Sequence, residues 1–135
     1  MASQIVMIDA NVVLRYLLRD DENLYKTAEK FFNDVFLGKK KALLNQSVIA
    51  EIVYVLQKLY KVERGKITEV LTELLKSRNI VVQDKNIIEK SFNIYASTNL
   101  DYVDCLLCAY SEKFEVLTFD KRLKKCVSNA NSDAD

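Results

Sequence analysis

The chain has 135 residues and a mass of 15.6 kDa, the size of one ordinary domain. Half of its residues are hydrophobic, 29% are charged and proline is absent, which excludes a disordered or collagen-like chain. Twenty basic residues against nineteen acidic ones leave a net charge of +1, which argues against nucleic-acid binding by bulk charge alone.

Three further features of the composition restrict the chemistry and the location. Histidine is absent, so a Ser-His-Asp or Cys-His triad and a histidine-bound zinc are excluded. No apolar run approaches the ~20 residues that cross a bilayer, and the N-terminus lacks a signal-peptide pattern, so we expect a cytoplasmic protein without membrane association. The three cysteines are therefore predicted to be reduced thiols, with Cys105 and Cys108 as small core residues.

Apolar runs and helical periodicities alternate along the chain. Short apolar runs predict strands, the first of them buried on both faces, at residues 5–8, 42–44, 80–82 and 116–119. Amphipathic patterns predict helices after residue 9 and over about 22–37, 47–60, 65–76, 84–97, 101–113 and 120–126. This alternation predicts an α/β fold with three layers, in which helices cover a central parallel sheet of about four to five strands. We expect one domain over residues 1–127 and a flexible polar tail over 128–135.

Four acidic residues stand in apolar surroundings: Asp9, Glu51, Asp104 and Asp120. Asp9 and Asp120 directly follow predicted strands, and Asp104 is the one charged residue of the segment 102–110. Glu51 falls in an apolar helical stripe and is predicted to point toward the core. A carboxylate in such surroundings costs several kcal/mol unless it is neutralised, hydrogen-bonded or bound to a metal.

A parallel sheet brings the carboxyl ends of its strands to one edge, where these four carboxylates would meet. Like charges there repel unless a cation holds them, and oxygen ligands without histidine favour Mg²⁺ or Mn²⁺. The alternative is structural: Asp9, Asp104 and Asp120 as helix N-caps that each stabilise by about 1 kcal/mol, and Glu51 in a buried salt bridge. The coincidence of four such residues favours the metal site.

The segments Ile8-Asp-Ala-Asn11, Ala50-Glu51, Asp104-Cys-Leu-Leu-Cys-Ala109 and Leu117-Thr-Phe-Asp120 resemble those of PIN-domain ribonucleases. Within that family the short chain is similar to the VapC-like toxins of toxin–antitoxin pairs, over about residues 4–126. The resemblance implies a PIN-like fold and a magnesium-binding quartet formed by Asp9, Glu51, Asp104 and Asp120. It also implies that Asn11 and Thr118 orient these ligands. Asp101 is either an N-cap, a further ligand, or the ligand in place of Asp104.

The function that the resemblance implies is Mg²⁺-dependent endoribonuclease activity, which hydrolyses phosphodiester bonds of RNA. It further implies a homodimer and a cognate antitoxin. Arg15, Lys121 and Arg122 are candidate contacts to RNA phosphates, with solvent exposure or a salt bridge as the alternative. The large apolar residues of the first two helices, such as Leu24 and Phe31, form either core or a partner surface.

Two other functions compete with this one. A PIN domain that binds RNA or a partner without catalysis would share the fold. A Mg²⁺-dependent phosphoaspartyl phosphatase or receiver domain would use Asp9 as nucleophile, but such phosphatases usually carry a second aspartate where this chain has Asn11.

Overall fold

A computed structural model describes residues 4–134, with side chains described as far as residue 130. Its elements are, in order, β1 (Gln4–Met7), α1 (Ala10–Leu18), α2 (Glu22–Phe36), β2 (Lys40–Leu44), α3 (Gln46–Tyr54) continued by a π-helical turn (Val55–Leu59), α4 (Arg64–Leu75), β3 (Ile80–Val82), α5 (Lys85–Ser97), α6 (Tyr102–Tyr110) and α7 (Lys121–Ala134). The chain divides into two compact units: residues up to 61 with 73–83, and residues 62–72 with those from 84 onward. Within the described range, no helix has both the length and the apolar character needed to cross a bilayer.

The first unit contains the sheet. Its strands are parallel and lie in the order β1-β2-β3, with Val6 opposite Ala42 and Ala42 opposite Ile80. Inward side chains of β2 and β3 are fully buried, together with Phe32 of α2 and Ile52 of α3. The predicted α/β class with a central parallel sheet is therefore confirmed.

Two expectations about strands are wrong. Strand β1 is not buried on both faces, because the side chains of Ile5 and Met7 are 61% and 66% exposed. Residues 116–119 form no strand, and Leu117 and Phe119 are each 89% exposed. The sheet therefore has three strands among the described residues instead of four to five. An apolar run predicts an extended backbone, but a strand also needs a neighbour for its N–H and C=O groups, which the run itself does not supply.

The loop that follows β2 sets the start of α3. Asn45 is the N-cap, and its Oδ1 accepts hydrogen bonds from the backbone N–H of Ser47 at 2.9 Å and from the Ser47 hydroxyl at 2.8 Å. The helix therefore begins at Gln46, one residue before the start of the helix predicted over 47–60. Asparagine is among the best N-cap residues because its short side chain reaches these first backbone donors.

The second unit is helical. Phe92 and Tyr95 of α5 pack against Tyr102 of α6, with ring centroids 5.7 and 6.0 Å apart, and the Tyr102 hydroxyl lies 2.7 Å from the Ser91 hydroxyl. Arg64 stacks on the Tyr95 ring and donates to the Tyr95 carbonyl oxygen at 2.8 Å and to the carbonyl oxygen of Leu100. These contacts fix the backbone immediately before α6, the helix that carries Asp104 in its first turn.

A disulfide between Cys108 and Cys126 joins α6 to α7, with the two Cα atoms 6.1 Å apart. The expectation of three reduced thiols is therefore wrong, since Cys105 alone is a free, buried cysteine. Helix α7 also runs further than the predicted 120–126, so the segment predicted as a flexible tail is helical as far as Ala134. Residue 135 lies outside the described residues.

Candidate acidic site

Asp9 lies between β1 and α1, at the end of a strand as the sequence predicts. It is the N-cap of α1, and its Oδ1 accepts a hydrogen bond from the Val12 N–H at 3.3 Å. Its side chain is exposed, so the carboxylate is not shielded from water as its apolar neighbours in the sequence suggested. Because one oxygen caps the helix, Oδ2 of Asp9 is left for another ligand.

Glu51 lies on the exposed face of α3, so the prediction that it points toward the core is wrong. The buried residues of this helix are Ile49, Ile52 and Val53. A segment that is apolar on nearly every side does not define which face is buried, and a shift by one residue rotates a helix by about 100°. Among the residues with described side chains, no lysine or arginine nitrogen lies within 4 Å of the Glu51 carboxylate. The alternative of a buried salt bridge is therefore also wrong.

Asp104 lies in the first turn of α6 and is half-buried. Burial raises the pKa of its carboxyl, and the negative charges of Asp120 and Asp101 raise it further, while Arg122 lowers it. Three carboxylates of the second unit therefore share one negative region, which is unfavourable for the charged form of Asp104.

Asp120 is exposed and directly precedes α7. Its Oδ1 accepts a hydrogen bond from the Leu123 N–H at 2.9 Å, and its own N–H donates to the Thr118 hydroxyl oxygen at 3.1 Å. Thr118 thus holds the backbone of Asp120. Like Asp9, Asp120 has the capping role that the structural alternative assigned to it, with its second carboxylate oxygen free of that bond.

Asp101 occupies the N-cap position of α6. Its backbone carbonyl accepts from the Cys105 N–H at 3.1 Å, but its side chain makes no capping hydrogen bond. The exposed carboxylate of Asp101 is therefore not held by a capping bond.

The chemistry of the four predicted ligands suits a hard divalent cation. All are carboxylates, and the charges of Asp120 and Asp101 act on Asp104. A bound cation would relieve the repulsion between these carboxylates. Among residues 4–130, no three His, Cys, Asp or Glu side chains are arranged to hold one metal ion. Asp9 and Glu51 belong to the first unit, and Asp104 and Asp120 belong to the second.

The other predicted site residues have different environments. Asn11 is exposed in the first turn of α1. Nη1 of Arg15 donates to both carboxylate oxygens of Asp20, at 2.7 and 2.8 Å, and the Tyr60 hydroxyl also donates to Asp20 at 3.0 Å, so the salt-bridge alternative describes Arg15. Lys121 and Arg122 are exposed at the start of α7.

Each unit contains a cavity, lined by described residues, that the sequence pattern did not reveal. In the first unit a cavity of about 780 Å³ lies between β1, α1 and α2, and its lining includes Met7, Asp9, Leu24 and Phe31. In the second unit a cavity of about 530 Å³ is lined by residues of α5, the following loop, α6 and α7. Cavity linings assemble from distant segments, so no local pattern predicts them. The one available signal was the large apolar residues of α2.

The parallel sheet, the helices around it and the carboxylates at helix starts define an α/β protein with a candidate acidic site. The sequence model of the PIN domain matches residues 6–127. A VapC ribonuclease of Aquifex aeolicus (strain VF5) is 31% identical over 122 residues, which cover 88% of this chain and 90% of that protein. No solved structure matches the chain. The chain belongs to the PIN-domain family, which confirms the resemblance.

Proposed function

We propose that the protein is a Mg²⁺-dependent endoribonuclease that hydrolyses phosphodiester bonds of RNA, with Mn²⁺ as a substitute ion. The observation that carries the proposal is the negative region formed by Asp101, Asp104 and Asp120, in which burial first, and then the charges of Asp120 and Asp101, raise the pKa of Asp104. A cluster in which burial and neighbouring carboxylates disfavour the charged form of an acid is typical of a site that binds a cation. The VapC ribonuclease that aligns over most of the chain supports the choice of RNA as substrate.

In this proposal Asp9, Glu51, Asp104 and Asp120 are the carboxylates that hold the metal. A bound divalent ion would lower the pKa of a water molecule and neutralise the scissile phosphate. The capping bonds of Asp9 and Asp120 orient each carboxylate through Oδ1, and Thr118 steadies the Asp120 backbone. Glu51 has no ion-pair partner among the described side chains, so it is suited either to bind the ion or to accept a proton from the water.

The proposal extends to a toxin role with a cognate antitoxin, a homodimer and a cytoplasmic location, where RNA is the available substrate. The apolar cavity of the first unit supports a protein partner, because Leu24 in its lining is 47% exposed. Apolar side chains that line an open cavity suit an amphipathic segment of another protein.

A PIN domain that only binds RNA or a partner is the second candidate. The observation that favours it is that Asp9 and Asp120 both cap helices, so each has a structural role without any metal. The PIN-domain match gives the phosphoaspartyl alternative no comparable support.

The decisive experiment compares Asp9→Asn with Asp21→Asn. Both aspartates cap a helix of the first unit, Asp9 through the Val12 N–H at 3.3 Å and Asp21 through the Leu24 N–H at 3.0 Å. Asparagine caps as well as aspartate, so both variants should fold. We expect D9N to lose Mg²⁺-dependent RNA cleavage by about 100-fold or more, because loss of a ligand should cost at least as much as loss of a group that orients one.

In that experiment D21N should cleave RNA at the wild-type rate. EDTA should abolish cleavage by the wild type, and added Mg²⁺ or Mn²⁺ should restore it. Normal cleavage by D9N, or cleavage that persists in EDTA, would refute the proposed function.

A second pair of variants decides between the adjacent acids of α6. We expect Asp104→Asn to reduce cleavage by about 100-fold or more, and Asp101→Asn by less than about threefold. The reverse order would show that Asp101 is the ligand and Asp104 is not. Equal, normal activity of both variants would remove this region from the site.

A further inference from the structure

The cavity of the second unit has the size and lining of a site for a small polar ligand. Its volume is about 530 Å³, within the range of typical ligand pockets. Ile94 and Leu100 provide an apolar part, and Asn99 and Asn129 provide side-chain amides that donate and accept hydrogen bonds. An apolar surface with a few amides at its rim suits a planar heterocyclic base.

The charge of this cavity is positive. Lys90, Arg122 and Lys125 line it, and none of its described lining residues is acidic. Lys90 is paired with Glu112 at 3.2 Å, whereas Lys125 forms no ion pair with any acidic side chain that the structure describes. The cavity therefore has at least one cation available for an anionic group such as a phosphate.

Arg122 connects the cavity with the acidic residues of the same unit. It lines the cavity, and it lies two residues after Asp120, at the start of α7. A ligand in the cavity would therefore lie near whatever Asp120 binds.

We propose that this cavity binds one unstacked nucleotide of single-stranded RNA, adjacent to the phosphodiester that is cleaved. The base lies on the apolar part near the amides, and its phosphate contacts Lys125 and Arg122. Proteins that recognise single-stranded RNA typically read unstacked bases in this way. The inference rests on the proposed ribonuclease function and adds a subsite that selects nucleotides beside the metal-binding acids.

The test compares Lys125→Ser with Lys124→Ser, two adjacent exposed lysines of α7 of which only Lys125 lines the cavity. Binding of a short fluorescein-labelled single-stranded RNA is measured by anisotropy in EDTA, so that the RNA is not cut. We expect K125S to weaken binding about 10-fold, as for loss of one hydrogen bond to a charged group. For K125S, the slope of the logarithm of the RNA-binding constant against the logarithm of the salt concentration should be smaller by about one, as for loss of one phosphate contact. K124S should change the affinity by less than about twofold.

The position of the base is tested with an RNA that carries a single 4-thiouridine. Irradiation should crosslink it to peptides that contain Asn99 or residues 125–129, and K125S should reduce the yield. Equal RNA affinity of K124S and K125S, or crosslinks only outside the cavity, would overturn the inference. So would a K125S variant that binds RNA normally but has lost a protein partner.

These outcomes are separate from the test of the proposed function. Binding is measured without cleavage, so D9N can be inactive while K125S and K124S bind RNA equally. In that case the nuclease proposal stands and the nucleotide subsite does not. If D9N cleaves normally but K125S alone weakens binding, the cavity binds RNA in a protein whose chemistry lies elsewhere.

Discussion

The two units differ in the charge that their cavities offer to a partner. In the first unit, the cation in the cavity lining is Arg15, and its guanidinium is already bound to Asp20. In the second unit, Lys125 has no such partner among the described side chains, and Arg122 is exposed at the start of α7. A cation that is already paired adds little attraction for a phosphate. The first cavity therefore suits an apolar protein segment, and the second suits a polyanion.

The two units also differ in how far their acidic site residues are buried. Asp9 and Glu51 are exposed side chains of the first unit. Asp104 is half-buried, and burial together with Asp120 and Asp101 raises its pKa. Negative charge at Asp104 therefore carries a free-energy cost in the second unit, which is also the unit that contains the disulfide.

The largest expected effect concerns that disulfide, which has no counterpart in the first unit. Cys108 and Cys126 are 18 residues apart, and closing a loop of this length restricts the unfolded chain by about 3 kcal/mol. We expect Cys126→Ser to lower the free energy of unfolding by about this amount, measured with urea under oxidising conditions.

Dithiothreitol provides the control for the disulfide. Wild type and C126S should have similar stabilities once the bond is reduced. Alkylation of the denatured, unreduced wild type should label one cysteine, Cys105. Labelling of all three cysteines would contradict the bond and remove this difference between the units.

A smaller effect is expected for the apolar cavity of the first unit. Leu24 lines it, and Leu37 is an exposed leucine of the same unit outside its lining. We expect Leu24→Asp to weaken binding of the antitoxin encoded by a neighbouring gene about 30-fold, since an apolar anchor contributes about 2 kcal/mol. Calorimetry should give Leu37→Asp near-normal affinity, and both variants should bind RNA normally. Equal affinities of L24D and L37D for the antitoxin would show that this cavity is not its docking site.

The smallest expected effect concerns the stability of the second unit as a function of pH. The pKa of Asp104 is raised in the folded protein above the ordinary value of 3.8, so its ionisation opposes folding at neutral pH. The protonated form carries the favourable contribution, which is complete below pH 3.8 and lost as pH rises through the folded pKa. In EDTA, Asp104→Asn should therefore be more stable than wild type at pH 7. The difference should vanish well below pH 3.8, and a less stable D104N at pH 7 would show that the charge is not penalised.

Short-range patterns were sufficient for much of this protein. The apolar runs at 42–44 and 80–82 become β2 and β3, and the sequence pattern also predicts acidic residues at helix starts. These predictions worked because strand and helix periodicities, and the capping preference of aspartate, depend on neighbours within a few residues. The same local rules predict that Asp9, Asp104 and Asp120 lie at or near the starts of helices.

The tertiary structure decided what depends on contacts between distant segments. The buried face of α3 is set by what packs against it, so Glu51 is exposed although its neighbours in the sequence are apolar. The extended run 116–119 lacks a strand partner, and Cys108 pairs with a cysteine of another helix instead of its near neighbour Cys105. Burial, strand pairing and disulfide formation each need two surfaces to meet, and one stretch of sequence specifies only one of them.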